Sequence, residues 1–470
     1  MGLSLSSRLF QGQSRHREGR GARLCGAMAK KVLMICYYYP PFATAGTERS
    51  AKFARYLPDY GYEPFVLTAR SHGTTIGDER NRIYRTNELW HIYRSTLGLL
   101  GRAKRPREVP DKPLASSKNG VRAIKRWLLL HALIPDPQIG WLPFAIRTGG
   151  QMVRGAGIDV IFSTSPPETA HLIAYYLQRS TGKPWVADFR DSWVFEPLKR
   201  DALALRYRRG LETFMERKVV AGADAVVCAT KPVAQDFEDR CGLDAHNITV
   251  IPNGYDALDY GALSDVQELC PGVFSIVHTG SFAKSSGGRR LGTFLRALRC
   301  FVSEWGLAPT QLRLLLVGDL TDEEKALTQH FGLDEWVEHT GQVTRVESLQ
   351  YQLGAQVLLL MPDPLITGQI PGKLYEYLAA RKPILALARG NASADIISRF
   401  GAGIVVGSDD VEDIRSAIST LFTRWKSGQL KVDIDTAKLQ QFDRRELTRQ
   451  LAEVFDRVLT HDKNSPRRAP

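Results

Sequence analysis

The stretch "QIPGKLYEYLAARKPILAL", Gln369 to Leu387, begins with a Pro-Gly turn and ends with an apolar run after Lys-Pro. Its spacing of apolar residues predicts a buried helix followed by a buried strand, an order typical of βα repeats in a parallel sheet. A single acid, Glu376, stands among apolar neighbours in the helical part. That carboxylate is either a solvent-facing acid stabilised by the helix dipole or a ligand-binding group.

Short apolar runs alternate with helical patterns both before and after residue 253. Runs such as "KKVLMICYYY", "EPFVLTA", "DVIFST" and "ADAVVCAT" come before it, and "FSIVHTG", "LRLLLVGD" and "QVLLLMP" come after it. Apolar strands separated by helices are typical of parallel sheets built from βαβ units. The sequence therefore predicts an α/β fold with two doubly wound parallel-sheet domains. Ligands of such sheets bind beyond the carboxyl ends of the strands, so the cleft between the domains is the expected site.

Two short segments carry nearly all of the net charge of +13. Residues 1–30 hold six Lys and Arg against one Glu, and residues 101–126 hold nine against two acids. Such segments suit an anionic membrane surface or nucleic acid, although a solvated loop has the same composition. The segments lack interleaved aromatic residues and a known nucleic-acid-binding motif, which argues against nucleic-acid binding.

The basic segment 101–130 ends within the helix-like "VRAIKRWLLLHALI". Arg122, Lys125 and Arg126 stand there beside Trp127. A basic amphipathic helix with a Trp is a candidate for lying on a membrane surface. The segment therefore predicts a peripheral membrane contact, with an ordinary helix packed on the first domain as the equal alternative.

The first residues and the cysteines bear on the compartment. Residues 1–27 are rich in Arg but hold no apolar stretch, so they are not a secretory signal. Met28 directly precedes "AKKVLMICYYYPP", which favours an over-extended gene start over a disordered tail. The six cysteines are scattered without a C-x-x-C pair, which argues against a disulfide framework and a zinc site and favours the reducing cytoplasm.

Two loops of small residues follow strands and precede helices, as phosphate-binding loops do. In the first domain "YYYPPFATAGTERSAKF" contains Gly46. In the second domain "GSFAKSSGGRR" offers small residues and cations for a diphosphate: Gly280, Ser281, Lys284, Arg289 and Arg290. Neither loop is a Walker or G-x-G-x-x-G motif, and a solvated basic loop would look the same.

The stretch "VADFRDSW" places Asp188, Arg190, Asp191 and Trp193 at the end of a strand, where the cleft is expected. Carboxylates accept hydrogen bonds from sugar hydroxyls, and Trp193 could stack on a sugar ring. An internal Asp–Arg pair that caps the strand is the alternative, and the strand-end position favours the functional interpretation.

The start of the quoted helix is a second candidate anion site. Pro371 and Gly372 leave its first N–H groups free for an anion. Glu376 lies one turn further in, where its carboxylate could accept from both hydroxyls of a ribose. Apolar residues on both sides of Glu376 argue against idle exposure.

Together, these motifs resemble the retaining glycosyltransferases of family 4. "IPGKLYEYLAARKPILAL" and "VIPNGYD" (250–256) resemble two stretches of that family, and "PWVADFRDSW" and "IPDPQIGWLPFA" resemble its bacterial members that build envelope polysaccharides. The resemblance covers residues 30–460. It implies the GT-B fold, with two Rossmann-like domains facing across a cleft. The implied segments are a tail or false start at 1–27, an acceptor domain at 28–252 with the insertion at about 95–150, a nucleotide-sugar domain at 253–436, a helix at 437–462 that crosses back, and a disordered tail at 463–470.

The resemblance also implies roles for residues of the second domain. Glu376 would hold the donor ribose, Lys284 with Arg289 or Arg290 would neutralise the diphosphate, and Gly46 would lie in the glycine loop of the first domain. The stretch Pro371 to Leu374 would present backbone N–H groups to the diphosphate, from Gly372, Lys373 and Leu374, because proline itself has none. Three residues would lie by the base: Gly341, Gln342 and Val343.

Three positions depart from the family. Many members carry another Glu eight positions before the Glu376 equivalent, where this chain has Gly368, and that acid usually contacts the donor sugar. Arg381 replaces a usual Gly. Many members have a His where this chain has "DFRD", so Asp188, Arg190 and Asp191 are the candidate catalytic contacts.

The resemblance implies transfer of a sugar, with retention and without a metal or other cofactor, from a nucleoside diphosphate to a glycan or lipid-linked acceptor. The expected context is cell-envelope or extracellular polysaccharide synthesis in the cytoplasm, on the inner face of the membrane. One alternative is a non-catalytic GT-B protein that binds a nucleotide or glycan, which Gly368 supports. A GT-B nucleotide-sugar epimerase is the other, and it would need a cleft His such as His278.

Overall fold

The computed structural model describes residues 29–42, 45–70, 77–78, 82–89, 127, 130–196, 200–263, 266–280 and 287–464. The tail predicted at residues 1–27 and the basic segment 101–126 lie outside these residues.

The N-terminal domain is built on an eight-stranded sheet with the order β3-β4-β2-β1-β5-β6-β7-β8. All neighbouring strands are parallel except β3, which pairs antiparallel with β4. The strands are β1 (Lys30–Ile35), β2 (Tyr62–Ala69), β3 (Gly77–Asp78), β4 (Ile83–Thr86), β5 (Val160–Ser165), β6 (Trp185–Phe189), β7 (Ala225–Cys228) and β8 (Ile248–Val250).

Both faces of this sheet are covered, as the continuous apolar runs of its strands require. Leu33 and Ile35 of β1 join one core cluster, whereas Val32 and Met34 join the cluster on the opposite face. Successive side chains of a strand point to opposite faces, so a strand buried on both faces reads as one apolar run.

The C-terminal domain is built on a six-stranded parallel sheet with the order β11-β10-β9-β12-β13-β14. Its strands are β9 (Phe274–Thr279), β10 (Leu312–Val317), β11 (Val337–Gly341), β12 (Val357–Leu360), β13 (Ile384–Leu387) and β14 (Gly403–Val406). Core clusters again lie on both faces. The predicted α/β fold of two doubly wound, parallel-sheet domains is confirmed.

Helices connect the strands and cover the sheets. None of those in the described part of the chain is both long and apolar enough to cross a bilayer. The N-terminal domain holds α1 (Ala45–Tyr56), α2 (Leu142–Ala156), α3 (Thr169–Thr181), α4 (Arg200–Leu203), α5 (Arg206–Gly222) and α6 (Lys231–Cys241). The remaining helices are α7 (Ala257–Gly261), α8 (Gly287–Trp305), α9 (Asp322–His330), α10 (Arg345–Gly354), α11 (Gly372–Ala380), α12 (Ala392–Arg399), α13 (Val411–Lys426), α14 (Thr436–Gln440) and α15 (Arg444–Asn464).

The chain crosses between the domains at two adjacent places. Tyr255 and the segment before α15 exchange backbone hydrogen bonds, from Tyr255 N–H to the Phe442 carbonyl at 3.1 Å and from Arg444 N–H to the Tyr255 carbonyl at 2.8 Å. A Cβ atom on Gly254 would lie 2.1 Å from the Phe442 carbonyl oxygen, so only glycine fits there. Helix α15 then packs its apolar side on the N-terminal sheet.

Candidate functional site

Glu376 is held by two side chains of α10 rather than turned to bulk water. Its Oε1 accepts a 2.6 Å hydrogen bond from Arg345, its Oε2 accepts a 3.1 Å hydrogen bond from Gln352, and its side chain is 14% exposed. Burial opposes the charge of Arg345, yet the Glu376 carboxylate leaves the pKa of that guanidinium raised. The acid is therefore fixed in one orientation at the edge of the cleft.

The predicted base-side loop leads directly into this ion pair. Gly341 ends β11 in the left-handed region at φ 69°, Gln342 is exposed, and Val343 packs partly against the core. The chain then enters α10 at Arg345, the partner of Glu376. The structure thus places the loop predicted for the base next to the acid predicted for the ribose.

Helix α11 begins at the carboxyl end of β9. Its N-cap residue, Pro371, supplies no side-chain cap, so its first N–H groups receive no side-chain acceptor there. The Lys373 amino group donates to the Thr279 carbonyl and lies 3.3 Å from His278 Nε2. A Cβ atom on Gly280 would lie 3.1 Å from this amino group. Burial lowers the pKa of Lys373 to about 8. The sequence predicted a backbone contact for Lys373, and the structure adds its side chain as a cation beside the Gly280 loop.

The other residues predicted to contact the diphosphate do not all lie in the described part of the chain. Ser281 and Lys284 lie outside the described residues, as does the side chain of Arg289. Arg290 is buried and donates to the Met361 and Pro362 carbonyls after β12, and burial lowers its pKa. Arg290 Nη1 is therefore held by the β12–α11 connection, whereas its Nε and Nη2 have no hydrogen-bond partner among the described residues, and its phosphate contact stays a prediction.

Asp188 is fully buried and does not reach the cleft surface. Its two oxygens accept hydrogen bonds of 2.7 and 3.0 Å from Arg49 of α1, and Thr164 donates a third at 2.7 Å. Arg49 also donates to the carbonyls of Ile251 and Pro252, where the chain leaves the domain. The expected catalytic contact of Asp188 is therefore corrected to an internal ion pair that joins β6, α1 and the connection between the domains.

Arg190 and Gly46 of the N-terminal domain lie against each other. Arg190 donates to the carbonyls of Ser165 and Pro166 at the end of β5. A Cβ atom on Gly46 would lie 2.0 Å from an Arg190 guanidinium nitrogen. Any larger residue at position 46 would displace this guanidinium. The glycine of the first-domain loop is therefore needed for close packing on Arg190.

Asp191 faces the other domain, but Trp193 does not face the cleft. The Gln369 side-chain amide donates to Asp191, and burial raises the pKa of that carboxyl. Trp193 is buried in the N-terminal core, where its indole N–H donates to Glu212 at 2.9 Å. The expected stacking of Trp193 on a sugar is wrong, because its ring is enclosed by its own domain.

Sequence reasoning missed Glu196, which bridges the cleft. Its carboxylate accepts hydrogen bonds from the N–H and hydroxyl of Thr367, at 3.1 and 2.6 Å, and from the N–H of Gly368 at 2.7 Å. A Cβ atom on Gly368 would lie 2.9 Å from Pro232 Cβ and 3.2 Å from Glu196 Oε2. The position where the family usually carries a Glu thus has no room for a side chain and receives a carboxylate from the opposite domain. Nothing in the local sequence signals this contact.

Two further residues singled out from the sequence have structural explanations. His278 is buried, its Nδ1 lies 2.9 Å from the Leu359 carbonyl, and burial lowers its pKa well below the ordinary value. Its neutral, enclosed ring lacks the free access that an epimerase acid or base needs. Arg381 is the C-cap of α11 at φ 54°, a left-handed conformation that glycine adopts most easily, which agrees with the usual Gly of the family that the sequence resembles.

Two families match consecutive parts of the chain. The family described as Glycosyltransferase Family 4 matches residues 46–257, and the family described as Glycosyl transferases group 1 matches residues 274–424. The boundary between the matches falls at the connection between the two domains. No protein of curated function matches the sequence.

Several solved structures share this fold. The sucrose-phosphate synthase of Thermosynechococcus elongatus matches with a TM-score of 0.63 and 14% identity, over 92% of this chain and 100% of that chain. The Anabaena protein HepE, solved with UDP and glucose, matches with a TM-score of 0.60 and 15% identity, over 91% and 100%. A putative UDP-N-acetylglucosamine 2-epimerase of Listeria monocytogenes matches with a TM-score of 0.54 and 12% identity, over 93% and 98%. At these identities the likeness shows the fold alone, which a sucrose-phosphate synthase and a putative epimerase share.

Proposed function

Because the chain belongs to the glycosyltransferases of family 4 with the GT-B fold, we propose that it moves a sugar from a nucleoside diphosphate to an acceptor hydroxyl, with retention of configuration. The observation that carries this proposal is the arrangement at the start of α11. Uncapped N–H groups and the partly buried Lys373 amino group lie beside Gly280, and Glu376 is fixed one turn further along. This is a site for a diphosphate joined to a ribose.

The chemistry of the site follows from the charge that develops on the leaving group. As the sugar departs, negative charge gathers on the diphosphate, and positive groups already aimed at it lower the barrier. The Lys373 ammonium and the N-terminus of α11 would supply that stabilisation without a metal ion, together with the predicted cations Lys284 and Arg289.

Asp191 and Arg190 are the remaining candidates for contact with the reacting sugar. Asp191 lies where the two domains meet, and its raised pKa suits a carboxyl that donates to or accepts from sugar hydroxyls. Arg190 places a cation beside Gly46, in the loop expected to close over the donor.

The identities of the base and the acceptor are proposed from one solved neighbour and from the sequence motifs. HepE was solved with UDP-glucose as well as with UDP, so uridine diphosphate sugars are the donors to try first. We propose a glycan or lipid-linked acceptor, a role in envelope or extracellular polysaccharide synthesis, and a cytoplasmic location at the inner face of the membrane. The contact predicted for residues 101–130 belongs to this proposal.

Two measurements test the proposed function. Thermal shift with a panel of nucleotide sugars should raise the melting temperature for the true donor, because a ligand that binds only the folded state stabilises it. Release of free nucleotide should then be measured with and without candidate acceptors. A nucleotide sugar that binds but releases no free nucleotide, with or without an acceptor, would favour the non-catalytic GT-B protein. If no nucleotide sugar raises the melting temperature, both the transferase and the non-catalytic nucleotide-binding protein are contradicted.

A further inference from the structure

Helix α5 of the N-terminal domain presents an apolar stripe to solvent that the proposed transfer reaction does not use. Tyr207, Leu211 and Phe214 follow one another at spacings of four and three residues, which places them on one side of the helix. They are 52%, 43% and 58% exposed. Adjacent exposed large apolar side chains mark a contact surface more often than an idle one.

The charges of α5 are sorted between its two sides. Its two acids, Glu212 and Glu216, are fully buried, where Glu212 pairs with Arg208 and Glu216 pairs with Arg240 of α6. The exposed charged residues of α5 are all cations: Arg206, Arg209, Arg217 and Lys218. The Lys218 amino group lies 5.5 Å from the centre of the Phe214 ring, so positive charge borders the apolar stripe directly.

An aromatic ladder extends the stripe beyond α5. The Tyr207 hydroxyl lies 2.6 Å from His131 Nδ1, and the His131 ring stacks against Tyr207 with centroids 5.9 Å apart. On its other side His131 stacks against Trp127 at 5.3 Å, and Trp127 is 57% exposed. Trp and Tyr are the side chains that favour the boundary between water and lipid, because each joins an apolar ring to a polar atom.

We propose that this surface docks the N-terminal domain on an anionic lipid bilayer. We call it the α5 face and define it by Trp127, Tyr207, Leu211, Phe214, Arg217 and Lys218. The rings and Leu211 would enter the interfacial region of the bilayer, while the cations pair with lipid phosphates. A second copy of the chain is a poorer occupant, since a symmetric contact through the same patch would bring two sets of these cations together.

Flotation of the full chain with lipid vesicles tests the proposal. We expect the chain to float with vesicles made of equal parts phosphatidylcholine and phosphatidylglycerol, to stay behind with phosphatidylcholine alone, and to be released by high salt. Phe214→Asp should abolish flotation. The double change Arg217→Glu and Lys218→Glu should weaken partition by about thirtyfold or more, the effect expected from losing two cations near an anionic surface.

Matched changes elsewhere serve as controls. Arg296→Glu with Arg299→Glu makes the same charge change on two exposed arginines of α8, in the C-terminal domain. Leu258→Asp places the same acid on another exposed apolar position, 54% exposed in α7. Both controls should float like the unchanged chain. All of these side chains are exposed, so equal melting temperatures would show that every variant is folded.

Three results would overturn the proposal. The unchanged chain could fail to float with phosphatidylglycerol vesicles, or the α5-face variants could float as well as the controls. The chain could also form a dimer that Phe214→Asp dissociates without any effect of lipid, which would assign the surface to self-association. The proposal rests on the membrane location proposed above, and failure to float would remove that location as well. The transfer reaction is tested separately by release of free nucleotide, so failure of the two proposals can be told apart.

Discussion

The carboxylate of Glu196, in the N-terminal domain, accepts a 2.7 Å hydrogen bond from the backbone N–H of Gly368, in the C-terminal domain. The same carboxylate accepts two hydrogen bonds from Thr367. This turn lies three residues before Pro371, the N-cap of α11. Closure of the cleft and the order of the turn before the proposed diphosphate site are therefore coupled through one side chain.

Replacing Glu196 should loosen that coupling. In Glu196→Ala the N–H groups of Thr367 and Gly368 lose a charged acceptor. Each lost hydrogen bond removes about 1.5–3 kcal/mol of stabilising free energy from the closed cleft. We expect the donor kcat/KM to fall about tenfold to a hundredfold and the radius of gyration in solution to increase. Glu238→Ala, an acid of α6 in the same domain, is the control and should leave both unchanged. A Glu196→Ala variant with unaltered kinetics would contradict the bridging role.

Gly368→Ala tests the same contact from the opposite side. Its Cβ would lie 2.9 Å from Pro232 Cβ, so the domains must separate or the turn must shift. The expected result is a raised donor KM. In a double-mutant cycle, Gly368→Ala should cost little once Glu196→Ala has already released the turn. Fully additive effects would show that the two residues act independently.

Lys373 should impose a pH limit on donor binding. Burial lowers its pKa to about 8 in the free protein, so the amino group loses its charge as the pH rises through that value. A diphosphate favours the charged form, and donor affinity should therefore fall above about pH 8, approaching tenfold per pH unit. Calorimetric titration across this range measures the fall.

Two variants check the assignment of that limit. Lys373→Arg carries a charge that persists to much higher pH and should extend tight binding upward. Lys382→Met removes another partly buried lysine and should keep the limit near pH 8. A limit that persists in Lys373→Met would assign it to a different group.

Glu376→Gln should remove recognition of the ribose without unfolding the protein. UDP and its 2′-deoxy analogue differ only in one ribose hydroxyl, so the unchanged chain should bind UDP more tightly. In Glu376→Gln that preference should shrink, because the neutral amide no longer offers two carboxylate oxygens to the ribose. Isothermal titration with both nucleotides measures the difference. A variant that still discriminates fully would contradict the ribose assignment.

Asp188→Asn should reduce stability. It leaves the buried Arg49 without its ionic partner, which costs about 3–5 kcal/mol of unfolding free energy. Asp413→Ala, which breaks the exposed Arg389–Asp413 pair, should cost less than about 1 kcal/mol. Urea unfolding of both variants makes the comparison. Normal stability with lost turnover in Asp188→Asn would restore the catalytic role that the sequence predicted.

Local sequence pattern was sufficient for the architecture. The apolar runs at β1 and β9 predicted strands buried on both faces, and the Pro-Gly turn before Lys373 predicted where α11 begins. These features depend on neighbours within a few residues, because burial and helix capping leave a periodic trace in the chain. The glycine at position 46 was also recognisable, although its reason, the approach of Arg190, was not.

The partners of individual side chains were decided by tertiary structure. Asp188 and Trp193 lie at or just after the end of β6 in the sequence. That location did not reveal that Asp188 would bind Arg49 of α1, or that Trp193 would bind Glu212 of α5. Glu196 is the clearest case, since it lies 172 residues from Gly368 and meets it only when the two domains face each other. A hydrogen bond needs donor and acceptor about 3 Å apart, and no periodicity in a sequence reports which distant groups the fold will bring to that distance.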